Sequence, residues 1–172
     1  MAAALGADSV IASLTHNLLT GTKKRVFVNR IVIEFTTIVA FTTPITAGRR
    51  LGLYRGSGTA PGGGAVTTPV ATNLGDVVAA AADQVASSRI ATTAALTVVG
   101  FTREAVPIDV LNLAHVGTAG AYRDRVFAFN APSSLILNPD ESLVLSNPVA
   151  FDAVGTWQAS WCVDYAIAEQ LT

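Results

Sequence analysis

The stretch GTWQASWCVDYAIAE, residues 155–169, alternates more regularly than any other part of the chain. From Trp157 every second residue is apolar: Trp157, Ala159, Trp161, Val163, Tyr165 and Ile167. Gln158, Ser160, Cys162 and Asp164 between them are small or polar. A period of two places the first set on one face of a β-strand and the second on the other. Both tryptophans of the protein therefore point the same way. Six inward apolar residues predict a strand at the centre of a sheet, with the tryptophans in the core. Each would bury about 150–250 Å² there.

The rest of the chain repeats the pattern in weaker form. In RIVIEFTTIVAFT, Ile31, Ile33, Phe35, Val39 and Phe41 face one way, and Arg30, Glu34, Thr36 and Thr42 the other. β-Branched and aromatic residues dominate, as a pleated surface favours. RRLGLYR turns Leu51 and Leu53 inward, and RIATTAALTVVGF alternates Ile90, Thr92, Ala94, Leu96 and Val98. VPIDVLNL, RVFAF, SLIL and SLVLS read as further short strands, and NPDE as a type I turn between the last two. DVVAAAADQVASS, residues 76–88, is alanine-rich enough for a short helix capped by Asp76, with a strand nearly as well supported. Seven or eight strands, no heptads and no βαβ rhythm predict an all-β chain, an antiparallel β-sandwich of jelly-roll type. Residues 1–22 read as an extended N-terminal arm, and 23–172 as one domain carrying a glycine-rich loop at 56–75.

Charge is scarce. Ionic residues make up 13% of the 172, against about 25% in ordinary soluble domains. The polarity that remains is mostly 19 threonines and 10 serines, beside 29 alanines. Small uncharged surface costs little to desolvate, so this composition predicts that much of the surface is covered by other subunits. The net charge is −1, yet the signs are separated along the chain. Seven of the eleven basic residues lie between Lys23 and Arg55, where Glu34 is the one acid; from Asn138 onward there are five acids and no base. That asymmetry permits head-to-tail contacts between copies. Cys162 stands alone, so no internal disulfide is expected, which suits a reducing compartment. The N-terminus lacks the basic start of a signal peptide, and the uncharged run 35–48 is too short to span a membrane.

The sequence carries none of the common catalytic signatures. His16 and His115 have no partner at metal-ligand spacing, and no metal or cofactor is expected. GSGTAPGGG lacks the Lys-Ser/Thr of a phosphate loop, and no Gly-x-Ser-x-Gly elbow is present. Asp140 and Glu141 read as solvated turn residues. The basic run KKRVFVNR, with its inward aromatics, serves an acidic neighbour better than nucleic acid, which is not an expected partner.

LILNPDESLVLSN, then GTWQASWCVDYAIAE, is similar to the ending of small jelly-roll virion proteins of tailed bacteriophages: a turn with an acid, a Leu/Val strand, and a Gly-Thr-Trp strand that closes on an aromatic and a glutamate. VFVNRIVIEFTT and RIATTAALT also resemble segments of such proteins, so the likeness covers residues 23–56 and 88–169. It implies a non-enzymatic capsid decoration or cement protein on the virion surface, assembled in the bacterial host cytoplasm. Its partners would be copies of itself, as a homotrimer, and the major capsid protein, with no membrane. An appendage or fibre-associated protein is the runner-up, and a glycan-recognition module using Tyr54, Tyr122 or Trp157 as stacking surfaces is the other alternative. For the structural role the expected contacts are Val10, Ile11, Leu14, Leu18 and Leu19 of the arm, with Arg49, Arg50 and Arg55 meeting acids across an interface. Deleting residues 1–20 is then expected to leave a folded domain that no longer assembles.

Overall fold

A computed structural model describes residues 5–16, 24–42, 48–67, 86–113, 119–129, 135–151 and 154–169. Among these every regular element is a strand, and no helix is long and apolar enough to cross a membrane. The strands are β1 (Ser9–His16), β2 (Lys24–Val39), β3 (Arg50–Gly58), β4 (Ala65–Thr67), β5 (Ala86–Ile90), β6 (Phe101–Arg103), β7 (Asp109–Asn112), β8 (Tyr122–Ala128), β9 (Leu135–Leu137), β10 (Glu141–Asn147) and β11 (Thr156–Glu169). They form a β-sandwich. One sheet runs β4-β5-β1-β10-β3-β6, with β7 on the same edge of β3 as β6; the other runs β11-β2-β8, with β9 continuing the β8 edge of β2. Every pairing is antiparallel.

The arm expected at residues 1–22 is corrected by β1. Ser9–His16 is an interior strand, bonded to β10 on one side and β5 on the other. Val10, Ile11 and Leu14 are buried in the core and are not available to a neighbour. Two features hide this strand from a reading of periodicity. A bulge at Ile11 breaks the alternation, so Val10 and Ile11 are both enclosed. In addition, β1 and β10 are covered on both faces, and Ser13, Thr15, Ser142 and Ser146 are as buried as the leucines beside them. Thr15 accepts a 2.8 Å bond from the Ser142 hydroxyl, which satisfies this polar pair inside the molecule. Part of the uncharged polarity of the chain is thus used within its own fold.

The second cover is built on β3. The Tyr54 ring lies over Gly52, where an added Cβ would stand 2.4 Å from it, and Arg103 stacks 4.0 Å above the ring centroid. Arg103 also donates to Ser146 Oγ at 2.9 Å and to Asp8 Oδ1 at 2.7 Å, so one guanidinium ties β6, β3, β10 and the entry to β1 together.

The tryptophans are core, as their alternation predicts. Trp157 stacks on Phe35 with centroids 5.3 Å apart and meets Phe151 edge-on at 5.5 Å; Phe41 joins Phe151 at 6.0 Å. Gly155 precedes this strand with φ +115°, and a Cβ there would come within 2.9 Å of Phe41. The Gly-Thr-Trp start is therefore set by backbone geometry and the aromatic cluster beside it.

Bulges also revise β2. Asp164 pairs with Arg30 but Tyr165 with Val28, so Asn29 is extra; Thr156 pairs with Val39 but Trp157 with Thr37, so Ile38 is extra. The inward set becomes Val26 and Val28, then Ile31, Ile33, Phe35 and Thr37. Val39, expected inward, is 52% exposed beyond the second bulge.

Other expectations change in the same way. RIATTAALTVVGF is not one strand: β5 stops at Ile90, and the N–H groups of Ala91 and Leu96 donate to the carbonyls of Ile11, the bulged residue, and of Val10 before it. In the glycine-rich region, Gly56 and Gly58 belong to β3, Gly62 bridges Thr97, and 65–67 form β4; residues 68–75 lie outside the described set. The helix considered for 76–88 falls outside it as far as 85, and residues 86–88 are strand. Asp140 has φ +66° at the third position of the Asn138–Glu141 turn, which makes that turn type II and not type I.

Candidate interaction surface

The residues expected to make contacts are not gathered in one place. Val10, Ile11 and Leu14 are core, and Leu18 and Leu19 lie outside the described residues. Arg49 is buried, with its guanidinium 4.1 Å from the centroid of Phe41, so it completes the aromatic cluster and cannot answer an acid on another subunit. Arg50 is exposed at the start of β3. Arg55 is half-buried: it donates to the Ile136 carbonyl in the opposite sheet and stands 3.9 Å from Glu141. Glu141 in turn accepts from the Asn138 backbone N–H at 2.8 Å and side chain at 3.1 Å, so it orders the turn beyond a merely solvated role. Arg55, Arg25, Phe27, Ile136 and Asn138 line an open groove of about 380 Å³.

Two of the three stacking surfaces considered for glycans are enclosed, Tyr54 under Arg103 and Trp157 in the core. Tyr122 is half exposed, but its hydroxyl is committed to Glu34 at 3.1 Å. His16 is buried in β1 with Nε2 2.9 Å from the Lys24 carbonyl oxygen. His115 lies outside the described residues.

What the fold does present is the outer face of the four-stranded sheet. Its residues form rows set by register. Val126, Val32 and Cys162 make one apolar row across β8, β2 and β11. Asp124, Glu34 and Ser160 make the next, and Ala128, Arg30 and Asp164 the row on the other side. Val126 is 47% exposed and Cys162 is also open. The Glu34 carboxylate accepts from the Ser160 hydroxyl at 2.6 Å and from Tyr122. Those bonds, the one from Ser160 first, hold Glu34 below its ordinary 4.5. Desolvation on the sheet, followed by the bond to the Glu34 carboxylate, raises Tyr122 above 10.0. Burial raises Tyr165 on the inner face of β11. Arg30 and Asp164 form a loose pair at 3.9 Å.

This face is bordered by the 14-residue β11, which pairs with β2 along one edge and, among the described residues, with no strand along the other. Its place corrects the expectation of a central strand. Alternation reports which layers lie above and below a strand; lateral neighbours leave no mark on it. Comparison of the chain with protein families, with curated proteins and with solved structures finds no match.

Proposed function

We propose that this chain is a non-enzymatic structural protein of a tailed-phage virion, a decoration or cement protein of jelly-roll type that binds the outer capsid shell and copies of itself. The observation that carries the reading is the character of its open surface. Val32, Val126 and Cys162 form an apolar row on a sheet face that no other described strand covers, and Val66, Val99 and Val106 stand more than half exposed elsewhere. A lone soluble domain intersperses such positions with lysines and glutamates. This chain spends only 13% of its residues on charge. Desolvating such a surface against a lattice costs little, and repeated copies would staple neighbouring capsid subunits by burying it.

The test is direct binding. The full chain is mixed with expanded shells of its phage assembled without it, and the shells are pelleted. Saturable co-sedimentation at a fixed copy number per shell, with increased resistance of the shell to heat, is the expected result. Binding to tails or fibres alone, or to no part of the particle, would overturn the decoration role.

A further inference from the structure

Among the described residues the two sheets have several edges, and all but that of β11 are blunted. β4 and β6 are three residues long, β9 is three and β7 is four. β8 is longer but carries Arg123, Asp124 and Arg125 exposed in sequence. Short or charged edges are how sheets avoid pairing with strangers. β11 is long, and its two charges are Asp164, which pairs loosely with Arg30 of β2, and Glu169 at its end. Its 14 residues extend about 46 Å, contain no lysine, arginine or proline, and turn every second N–H and C=O away from β2.

We infer that β11 pairs through this edge, which no other described strand occupies, with β11 of a second copy, antiparallel about a two-fold axis at Cys162, joining the two four-stranded sheets into one of eight strands. The strand is self-complementary in that register. On the inner face it sets Trp157 against Ile167, Trp161 against Val163 and Ala159 against Tyr165. Two of these are aromatic–β-branched pairs, and the third fits a large side chain to a small one. On the outer face Ser160 falls opposite Asp164 and Gln158 opposite Ala166, so no like charges meet. The apolar row Val126, Val32, Cys162 then runs unbroken across the axis into its symmetry copy. Ile167, 42% exposed in the single chain, lies opposite the position of the buried Trp157 in this register. The smallest assembly is accordingly a two-fold pair rather than the trimer implied by the segment likeness. The inference rests on the proposed self-associating role and gives it a surface.

Charge substitutions at the facing positions Gln158 and Ala166 test the register, since both side chains are exposed and neither holds the monomer together. Sedimentation velocity of the full chain reads the dimer. With Gln158→Lys and Ala166→Lys together, two lysine pairs oppose each other across the axis, and the dissociation constant should rise by about tenfold. With Gln158→Glu and Ala166→Lys, each pair becomes Glu–Lys and association should return to that of the native chain or tighter. Mild oxidation of the native dimer should link it through Cys162. If the native chain assembles but the two double variants behave alike, the β11 pairing is wrong while the self-associating role stands. If the native chain sediments as a monomer at every concentration, both fail.

Discussion

Removal of residues 1–20 is expected to abolish the cooperative unfolding transition, because β1 lies inside a sheet and not outside the domain. Val10, Ile11 and Leu14 leave the core with the deletion, at about 1.5–3 kcal/mol each for the burial alone. The two ladders that join β1 to β10 and β5 go with them, which separates β4 and β5 from the rest of the sheet. Thr15 is the acceptor for the buried Ser142 hydroxyl, and its loss leaves a polar group enclosed without that bond. Total stabilities of domains are about 5–15 kcal/mol, so the sum of these losses is enough to unfold the chain. Thermal unfolding followed by circular dichroism checks this. A flat or aggregating trace from residues 21–172 is expected. A sharp transition near that of the intact protein would mean that β1 is dispensable.

The second large effect is expected at Trp157. Its ring is fully buried, stacked on Phe35 and edge-on to Phe151, in a cluster capped by Arg49 on Phe41. Trp157→Ala removes the largest member of that cluster and should cost about 3–5 kcal/mol in urea unfolding. The effect lies in packing. Tyr122→Ala, which removes a half-exposed ring from the outer face, should cost far less. Equal losses at the two positions would contradict the assignment of Trp157 to the core.

The contrast between these two strands shows what the chain discloses to a reader of its sequence. β11 has one face toward the core and one toward the outside, so its side chains alternate and the pattern is visible. β1 and β10 are covered on both faces, where nothing demands alternation, and SVIASLTH with its bulge at Ile11 loses the period entirely. β2 shows the intermediate case. Asn29 and Arg30 are both exposed and both polar, so the bulge between Val28 and Ile31 changes the inward parity without an apolar residue appearing out of place. Arg49 looks like an ordinary surface cation until the fold brings Phe41 beneath it. By contrast, the alternation of Gly52, Tyr54 and Gly56 in LGLYRG is a usable signal: the missing side chains leave room that the Tyr54 ring fills over Gly52 and the Phe101 ring over Gly56. The lateral order of strands, which leaves β11 at an edge, has no local signature at all, because it is decided by pairings between segments distant in sequence.

Scarcity of charge then has two separate causes in this molecule. Serines and threonines of β1 and β10 are consumed inside the fold, while the face bounded by β11 keeps its apolar row in the open. We propose that this open face and the β11 edge, which no other described strand occupies, meet other chains. Sedimentation equilibrium of the intact protein, from submicromolar to hundreds of micromolar, tests it most directly. A mass that climbs to an even multiple of 17.7 kDa and holds there is the expected result. A single-chain mass across the whole range would contradict it.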